Sequence, residues 1–288
     1  MTAVPAPADL VPGTPQPRRL IVSLYGLYAR EHDGWLSVAA VVRLMADLGV
    51  DDQAVRSSIS RLKRRGLLEA GRVGGAAGYA LSDLARGILA EGDARIFGRR
   101  RATVEDGWLL VCFSVPESER DKRHQLRTQL TRLGFGIVTP GVWVAPGQLE
   151  DEANRMLARL DVREYSEVFR GRHVAPGDVA EQVRRWWDLE ALEALYAAFL
   201  ERYRPVLARW SGGPGPTGPG PDPRAAFADY VEVLTAWRRL PYADPGLPLE
   251  LLPSGWSGIE AEALFAALRT SLAGPAAAHA AGVLFPEG

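Results

Sequence analysis

One short stretch constrains the fold more than any other, because it predicts two helices joined by a tight turn. Residues 38–48 carry apolar side chains at helical spacing after Ser37, a candidate N-cap. Gly49 suits the end of that helix, and Asp51 or Asp52 can cap a second helix. A turn of about three or four residues that contains glycine has the spacing of a helix-turn-helix.

The second helix has a narrow apolar side and a polar, basic remainder. At 100° per residue, Val55, Ile59 and Leu62 fall within about 60° of one another and form one stripe. No acid follows Asp52 until Glu69, whereas a merely solvated helix usually mixes charges for pairing between residues i and i+4. The pattern therefore favours a helix that binds an anionic partner.

A hairpin and a closing helix are predicted directly after this basic helix. Leu67–Ala70 and Tyr79–Leu81 predict short strands around a glycine-rich tip, and residues 83–97 predict a helix. With a first helix over residues 18–30, residues 17–100 are predicted to form a winged helix-turn-helix DNA-binding domain.

The polar side of the helix over residues 52–65 has side chains suited to DNA recognition. Arginine can bond guanine bidentately, glutamine can bond adenine, and further cations can bind phosphates. Base contacts are predicted for Gln53, Arg56, Ser57 and Arg61. Phosphate contacts are predicted for Ser60, Lys63, Arg64 and, in the hairpin, Arg72. The alternative is a basic surface helix in a scaffold that binds protein.

The remaining sequence predicts two further domains and an α+β protein. Residues 105–177 alternate strand, helix, two strands, helix and strand, which predicts a ferredoxin-like αβ sandwich that serves as a dimerisation or scaffold module. Residues 178–288 predict a helical C-terminal domain with a Gly/Pro linker at residues 211–223. Residues 1–16 predict a disordered arm.

Composition narrows the classes of function. The net charge of −1 means that any DNA-binding charge must be local. The single cysteine excludes an internal disulfide and a cysteine-cluster zinc site, and the four histidines lack metal-ligand spacing. No catalytic set is apparent from spacing, so a protein without metal, cofactor or enzymatic activity is expected. Neither a transmembrane run nor a signal peptide is predicted, which favours the cytoplasm.

The chain resembles the PaaX family of transcriptional regulators in four stretches, which are LGVDDQAVRSSISRLKRRGLLEAGRVG, WLLVCFSVPESERDKRHQLRTQLTRLGFGIVTPGVWVAP, WWDLEALEALYAAFLERY and AWRRLPYADPGLPLELLPSGW. The resemblance covers roughly residues 17–285 in the order of the family. It implies a winged helix-turn-helix head, a middle domain similar to Cas2 and a helical C-terminal domain. It also implies that the protein represses a catabolic operon. An aryl-CoA thioester would release the repressor from DNA, and in the type members of the family this thioester is phenylacetyl-CoA.

The hairpin departs from what the resemblance implies, and the central domain differs from a Cas2-like nuclease. Arg72 is the only charged residue in the hairpin tip GRVGGAAGY, which limits its contacts with phosphate. Ser114 stands where a Cas2-like nuclease carries a metal-binding aspartate, so metal-dependent cleavage is not expected.

An effector site is predicted from aromatic and arginine side chains in the second half of the chain. Indole rings can stack on an aryl ring or an adenine, and guanidinium groups can bind phosphates. The candidates are Trp143, Arg170, Arg172 and Trp186.

The sequence therefore predicts a homodimeric, sequence-specific repressor that recognises an inverted-repeat operator and responds to phenylacetyl-CoA or another acyl-CoA. Two other classes stay open. One is a winged-helix adaptor without effector control, and the other is a CoA thioester hydrolase or nuclease with an appended DNA-binding head.

Overall fold

The computed structural model describes residues 16–174, 177–211 and 222–285. Residues 1–15 of the predicted arm and residues 212–221 of the predicted linker lie outside these ranges. None of the helices in the described ranges is long and apolar enough to span a bilayer.

The described residues form two compact units. The head unit comprises the described residues 16–97, 198–211, 222–238 and 259–285, and the sheet unit comprises the described residues 98–174, 177–197 and 239–258. The segment predicted as a C-terminal domain thus contributes residues to both units. The boundaries of the three predicted domains remain predictions.

The first part of the head unit alternates helices with a small sheet. Its elements are α1 (Pro17–Tyr28), β1 (Trp35–Ser37), α2 (Val38–Asp47), α3 (Asp52–Arg64), β2 (Leu68–Val73), β3 (Ala76–Leu81) and α4 (Asp83–Phe97). The strands form an antiparallel sheet in the order β1-β3-β2.

Local signals account for the bounds of α2 and α3. The Ser37 hydroxyl accepts a hydrogen bond from Ala40 N, and the Asp51 carboxylate accepts one from Ala54 N. Gly49 and Gly66 follow the two helices with φ of 73° and 69°, where a side chain would be strained. The two predicted helices and the end of the first of them at Gly49 are confirmed.

Two predictions about the hairpin and the preceding segment need correction. The strands β2 and β3 extend to Val73 and Ala76, so they reach further toward the tip than the sequence predicted. Residues 35–37, where the sequence predicted no strand and only an N-cap at Ser37, form β1 and pair with β3. That strand depends on pairing with residues 78–80, which a local pattern does not reveal.

The sheet unit contains a four-stranded antiparallel sheet with helices packed against it. Its elements up to residue 186 are β4 (Trp108–Phe113), α5 (Arg120–Arg132), β5 (Gly136–Thr139), β6 (Val142–Pro146), α6 (Glu150–Arg159), β7 (Ser166–Gly171) and α7 (Val179–Trp186). The strand order β5-β6-β4-β7 is the order expected for the predicted ferredoxin-like sandwich. Buried residues of β4, β6, α5 and α6 form its core, among them Leu109, Val111, Leu126, Leu130, Trp143 and Met156.

The C-terminal third is less uniformly helical than predicted. Its helices are α8 (Leu189–Ser211), α9 (Pro223–Trp237), α10 (Leu240–Ala243) and α11 (Ser257–Leu284). The predicted helical region is interrupted at Trp187 and Asp188, because the Asp188 carboxylate accepts a hydrogen bond from Ala191 N and starts a new helix. Residues 244–256 lack an α-helix and contain three prolines.

Candidate nucleic-acid interface

Helix α3 is fixed by its apolar side and presents the rest of its surface to solvent. Val55, Ile59 and Leu62 are at most 2% exposed, and they pack toward α1, α2 and the start of β2. Ser58 is also buried, on the same side. Burial of this stripe sets the rotation of the helix about its axis, so the predicted polar side must face outward.

The structure places every predicted DNA contact on the surface of the head unit. The exposed residues are Gln53, Arg56, Ser57, Ser60, Arg61, Lys63, Arg64 and Arg72. Seven of them lie on α3 and one lies on β2, so they share one unit. Arg65, which the prediction did not assign to phosphate, is exposed at the C-cap of α3 and adds a further cation.

The positive charge of α3 is only partly neutralised. Arg56 Nε lies 2.6 Å from Asp52 Oδ1, an ion pair one turn apart. Within the described residues, the side chains of Arg61, Lys63 and Arg64 form no ion pair. These three cations occupy the C-terminal half of α3 and are open to an external anion.

The hairpin after α3 offers little charge. Arg72 donates a hydrogen bond to Gly75 O across the tip at 3.4 Å, and Val73 is 56% exposed beside it. Residues 69–77 are all exposed, so the tip is accessible. Its contribution to binding would rest on Arg72 and on backbone N–H groups.

Helix α2, which precedes α3, is held by the C-terminal helices of the same unit. Asp47 at its end accepts a hydrogen bond from His279 Nε2 of α11 at 2.7 Å and forms an ion pair with Arg224 Nε of α9, also at 2.7 Å. Arg43 donates to Val283 O at 3.1 Å. These partners lie more than 170 residues away in sequence, and no sequence pattern indicated them.

Helices α9 and α11 also hold α1 and α4 through buried side chains. The Thr235 hydroxyl lies 2.7 Å from Ser23 Oγ, and Trp237 donates to Ile96 O at 3.1 Å. The Trp237 ring stacks on Phe265 with centroids 4.7 Å apart. Trp237 is therefore a packing residue of the head unit.

The predicted effector residues lie in the sheet unit with different surroundings. Trp143 belongs to the core of the sandwich and is 3% exposed. Arg170 pairs with Glu150 and donates to Asp106 O. Arg172 is exposed and lies just beyond the end of β7, whereas Arg170 lies within that strand.

Trp186 lies in a cluster of four rings. Its ring centroid is 5.5 Å from Trp108, 6.1 Å from Trp187 and 5.8 Å from His173. The His173 Nδ1 atom is buried and has no hydrogen-bond partner in the described residues. Of the four candidates, Trp186 belongs to this ring cluster but is only 7% exposed, and Arg172 is exposed to solvent.

No group of three His, Cys, Asp or Glu side chains arranged to hold a metal ion occurs in residues 16–174, 177–211 and 222–285. Ser114 is exposed directly after β4.

Three family models match the chain. They are described as PaaX-like protein, which matches residues 16–85, PaaX protein central Cas2-like domain, which matches residues 101–183, and PaaX-like protein C-terminal domain, which matches residues 187–282.

Two relatives extend the comparison. The chain is 25% identical to the transcriptional repressor PaaX of Escherichia coli (strain K12) over 248 residues, which cover 85% of this chain and 77% of that protein. The solved structure of the uncharacterized protein Rv0674 from Mycobacterium tuberculosis is 24% identical and has a TM-score of 0.55, covering 90% of this chain and 97% of that one. The second likeness is one of fold alone.

Proposed function

The chain belongs to the PaaX family, whose members are transcriptional repressors and not enzymes, and we propose that it represses transcription by binding a specific operator in the cytoplasm. Residues 17–100 act as a winged helix-turn-helix in this proposal, with α3 as the recognition helix in the major groove and the β2–β3 hairpin as the wing.

The outward face of α3 carries the proposal. It combines two side chains that can bond base edges bidentately, Gln53 and Arg56, with three cations that have no ion pair in the described residues. The apolar side is fully occupied by packing, so this polar face is the one that is free to enter a groove. A chain with a net charge of −1 that concentrates cations here has a local, not a general, affinity for polyanions.

The two roles assigned to arginines of α3 are separable. Arg56→Ala should weaken operator binding by about 1–3 kcal/mol and relax the preference at one base pair, because alanine cannot bond a base bidentately. Arg64→Ala should weaken binding to operator and random duplex by the same factor, because a phosphate contact carries no sequence information. Fluorescence anisotropy of labelled operator and random duplexes measures the affinities of both variants. Equal decreases in affinity on both duplexes for both variants would contradict the division of roles.

The proposed protein binds as a homodimer to an inverted repeat. Two-fold symmetry in the protein is matched by two-fold symmetry in the operator, with half-sites one helical turn or a multiple apart. The sheet unit, with its Cas2-like domain, is the proposed dimerisation module.

The proposed effector is an aryl-CoA thioester that binds the sheet unit near Trp186. Stacking of the ligand on His173, the half-buried ring of the four-ring cluster, with the exposed Arg172 binding its phosphate groups, would hold such a ligand. Release of DNA then requires that the effector binds the DNA-free state more tightly than the DNA-bound state.

Anisotropy of a duplex from the chain's own promoter region, at fixed salt and with random duplex as control, tests the function. Phenylacetyl-CoA, free phenylacetate and CoA are added separately. We expect selective binding that only the thioester reverses. Selective binding that no thioester disturbs would retain the repressor and reject the effector. Binding that depends on salt but not on sequence would favour an adaptor instead.

A further inference from the structure

Helix α5 of the sheet unit is strongly basic, as α3 of the head unit is. It contains five arginine or lysine residues and a single acid. Leu126 and Leu130 face the core and are fully buried. With Leu126 at 0° and 100° per residue, Arg120, His124 and Arg127 fall at about 100–160°, on the outer side of the helix.

The cations of α5 differ in whether they are neutralised. Lys122 is paired with Glu119 and Asp161, and Arg123 is paired with Glu117. In contrast, Arg120 and Arg127 are exposed and form no ion pair among the described residues.

The acid of α5 does not interrupt this stripe. Asp121 falls at about 220° by the same convention, away from the two free arginines. We call Arg120, His124 and Arg127 the α5 stripe, and its two arginines present positive charge along the outer side of one helix.

The geometry of the α5 stripe matches a phosphodiester backbone better than a single small anion. Arg120 and Arg127 are two turns apart, about 10 Å along the helix axis. One DNA strand presents about three phosphate charges over that distance. A site for a single phosphate group would need hydrogen-bond donors that converge on one point. The phosphates of a DNA backbone can instead be bound by separate guanidinium groups on long side chains.

We propose that the α5 stripe is a second phosphate-binding surface, which contacts the backbone of duplex DNA without recognising its sequence. This inference rests on the proposed DNA-binding function and adds a surface of the sheet unit to the recognition helix of the head unit. It predicts that the DNA site extends over more phosphates than α3 and the wing can contact.

The double variant Arg120→Gln/Arg127→Gln tests the α5 stripe. The slope of log affinity against log salt should become shallower by about 1 for each phosphate that the protein no longer neutralises, about 2 for each protomer. Affinity should fall by the same factor on operator and random duplex, so the ratio between them stays unchanged. The variant Arg120→Lys/Arg127→Lys should keep most of the slope, because the charges remain.

Arg184→Gln/Arg185→Gln is the matched control. These residues are exposed at the end of α7 in the same unit, and they form no ion pair in the described ranges. The control removes two positive charges, as the α5 variant does, but from a different surface. The slope should therefore stay as it is in the unmodified protein. Thermal unfolding of each variant establishes that it is folded.

The outcomes separate this inference from the proposed function. Selective operator binding by the unmodified protein, with an unchanged slope in the α5 double variant, would overturn the α5 surface alone. Equal decreases in slope for the α5 variant and the α7 control would also overturn it, because the effect would then follow net charge. Absence of DNA binding by the unmodified protein would overturn both.

Discussion

Asp244→Asn should lower the free energy of unfolding by about 3–5 kcal/mol, because it removes the charge from a buried ion-pair network while nearly preserving its shape. Asp244 is 1% exposed, and its Oδ2 lies 3.4 Å from Arg99 Nη2 and 3.3 Å from Arg101 Nη2. Tyr196 donates a hydrogen bond to the same oxygen at 2.8 Å, and Gly246 N donates to Oδ1 at 2.7 Å.

The size of the expected decrease in the free energy of unfolding follows from the two arginines that remain buried after the substitution. The side chains of Arg99 and Arg101 are only 10% and 13% exposed. An asparagine would remove the negative charge that Asp244 places beside two largely desolvated guanidinium groups, and its NH2 group would face other donors. Chemical denaturation at neutral pH, followed by tryptophan fluorescence, measures the change.

Asp161→Asn is the control for Asp244→Asn. Asp161 also pairs with a cation, Lys122, but its side chain is 92% exposed. Its φ of 52° is one that asparagine tolerates, so the substitution adds no backbone strain. We expect no measurable change in the unfolding midpoint, because solvent screens the exposed pair. Similar decreases for both variants would show that the burial argument is wrong.

The same network predicts how acid affects the sheet unit. Burial acts to raise the pKa of the Asp244 carboxyl, but Arg99, Arg101, Gly246 and Tyr196 together lower that pKa well below its ordinary value. A lowered pKa in the folded state contributes stability that is complete above the unfolded pKa, about 4, and declines as the pH falls further. The difference between the unmodified protein and Asp244→Asn should therefore shrink below about pH 4.

Elements with local signals were predictable from the sequence. Ser37 and Gly49 bracket α2 because caps and left-handed residues act within a few positions of a helix end. Helix α4 occupies residues 83–97 as predicted. The outward face of α3 followed from three apolar residues at helical spacing, because burial of one side fixes the exposure of the other.

Features that depend on distant partners were not predictable. Strand β1 has three residues, too few for a period, and it exists through pairing with β3. Asp244 and Arg99 are separated by 145 residues, and Asp47 and His279 by 232. Trp143 and Trp186 look alike in sequence, yet one is sandwich core and the other joins a ring cluster beside a free histidine nitrogen.

Leu62→Ala should lower the free energy of unfolding by about 2–5 kcal/mol, because Leu62 joins the packing side of α3 to the rest of the head unit. Leu62 is 2% exposed and lines a small apolar cavity of about 80 Å³ together with Ile21 and Tyr25 of α1, Leu68 of β2 and other apolar side chains. Free volume already present there would be enlarged by the truncation. Alanine favours the helix, so a decrease in stability would report packing and not helix propensity.

Leu84→Ala, which makes the same chemical change on α4, is the control for Leu62→Ala. Leu84 is 58% exposed, so its truncation should change stability by no more than about 0.5 kcal/mol. Unfolding by urea distinguishes the two variants. Equal effects would contradict the assignment of Leu62 to the buried stripe.

DNA binding by Leu62→Ala separates the two sides of α3. At a temperature where the variant remains folded, its affinity for operator should match that of the unmodified protein, because no outward side chain has changed. Arg56→Ala should show the reverse, with weaker operator binding and nearly unchanged unfolding, since Arg56 is exposed. If a folded Leu62→Ala protein no longer bound the operator selectively, the side of α3 that contains Leu62 would contact the major groove. Our assignment of that side to the core would then be wrong.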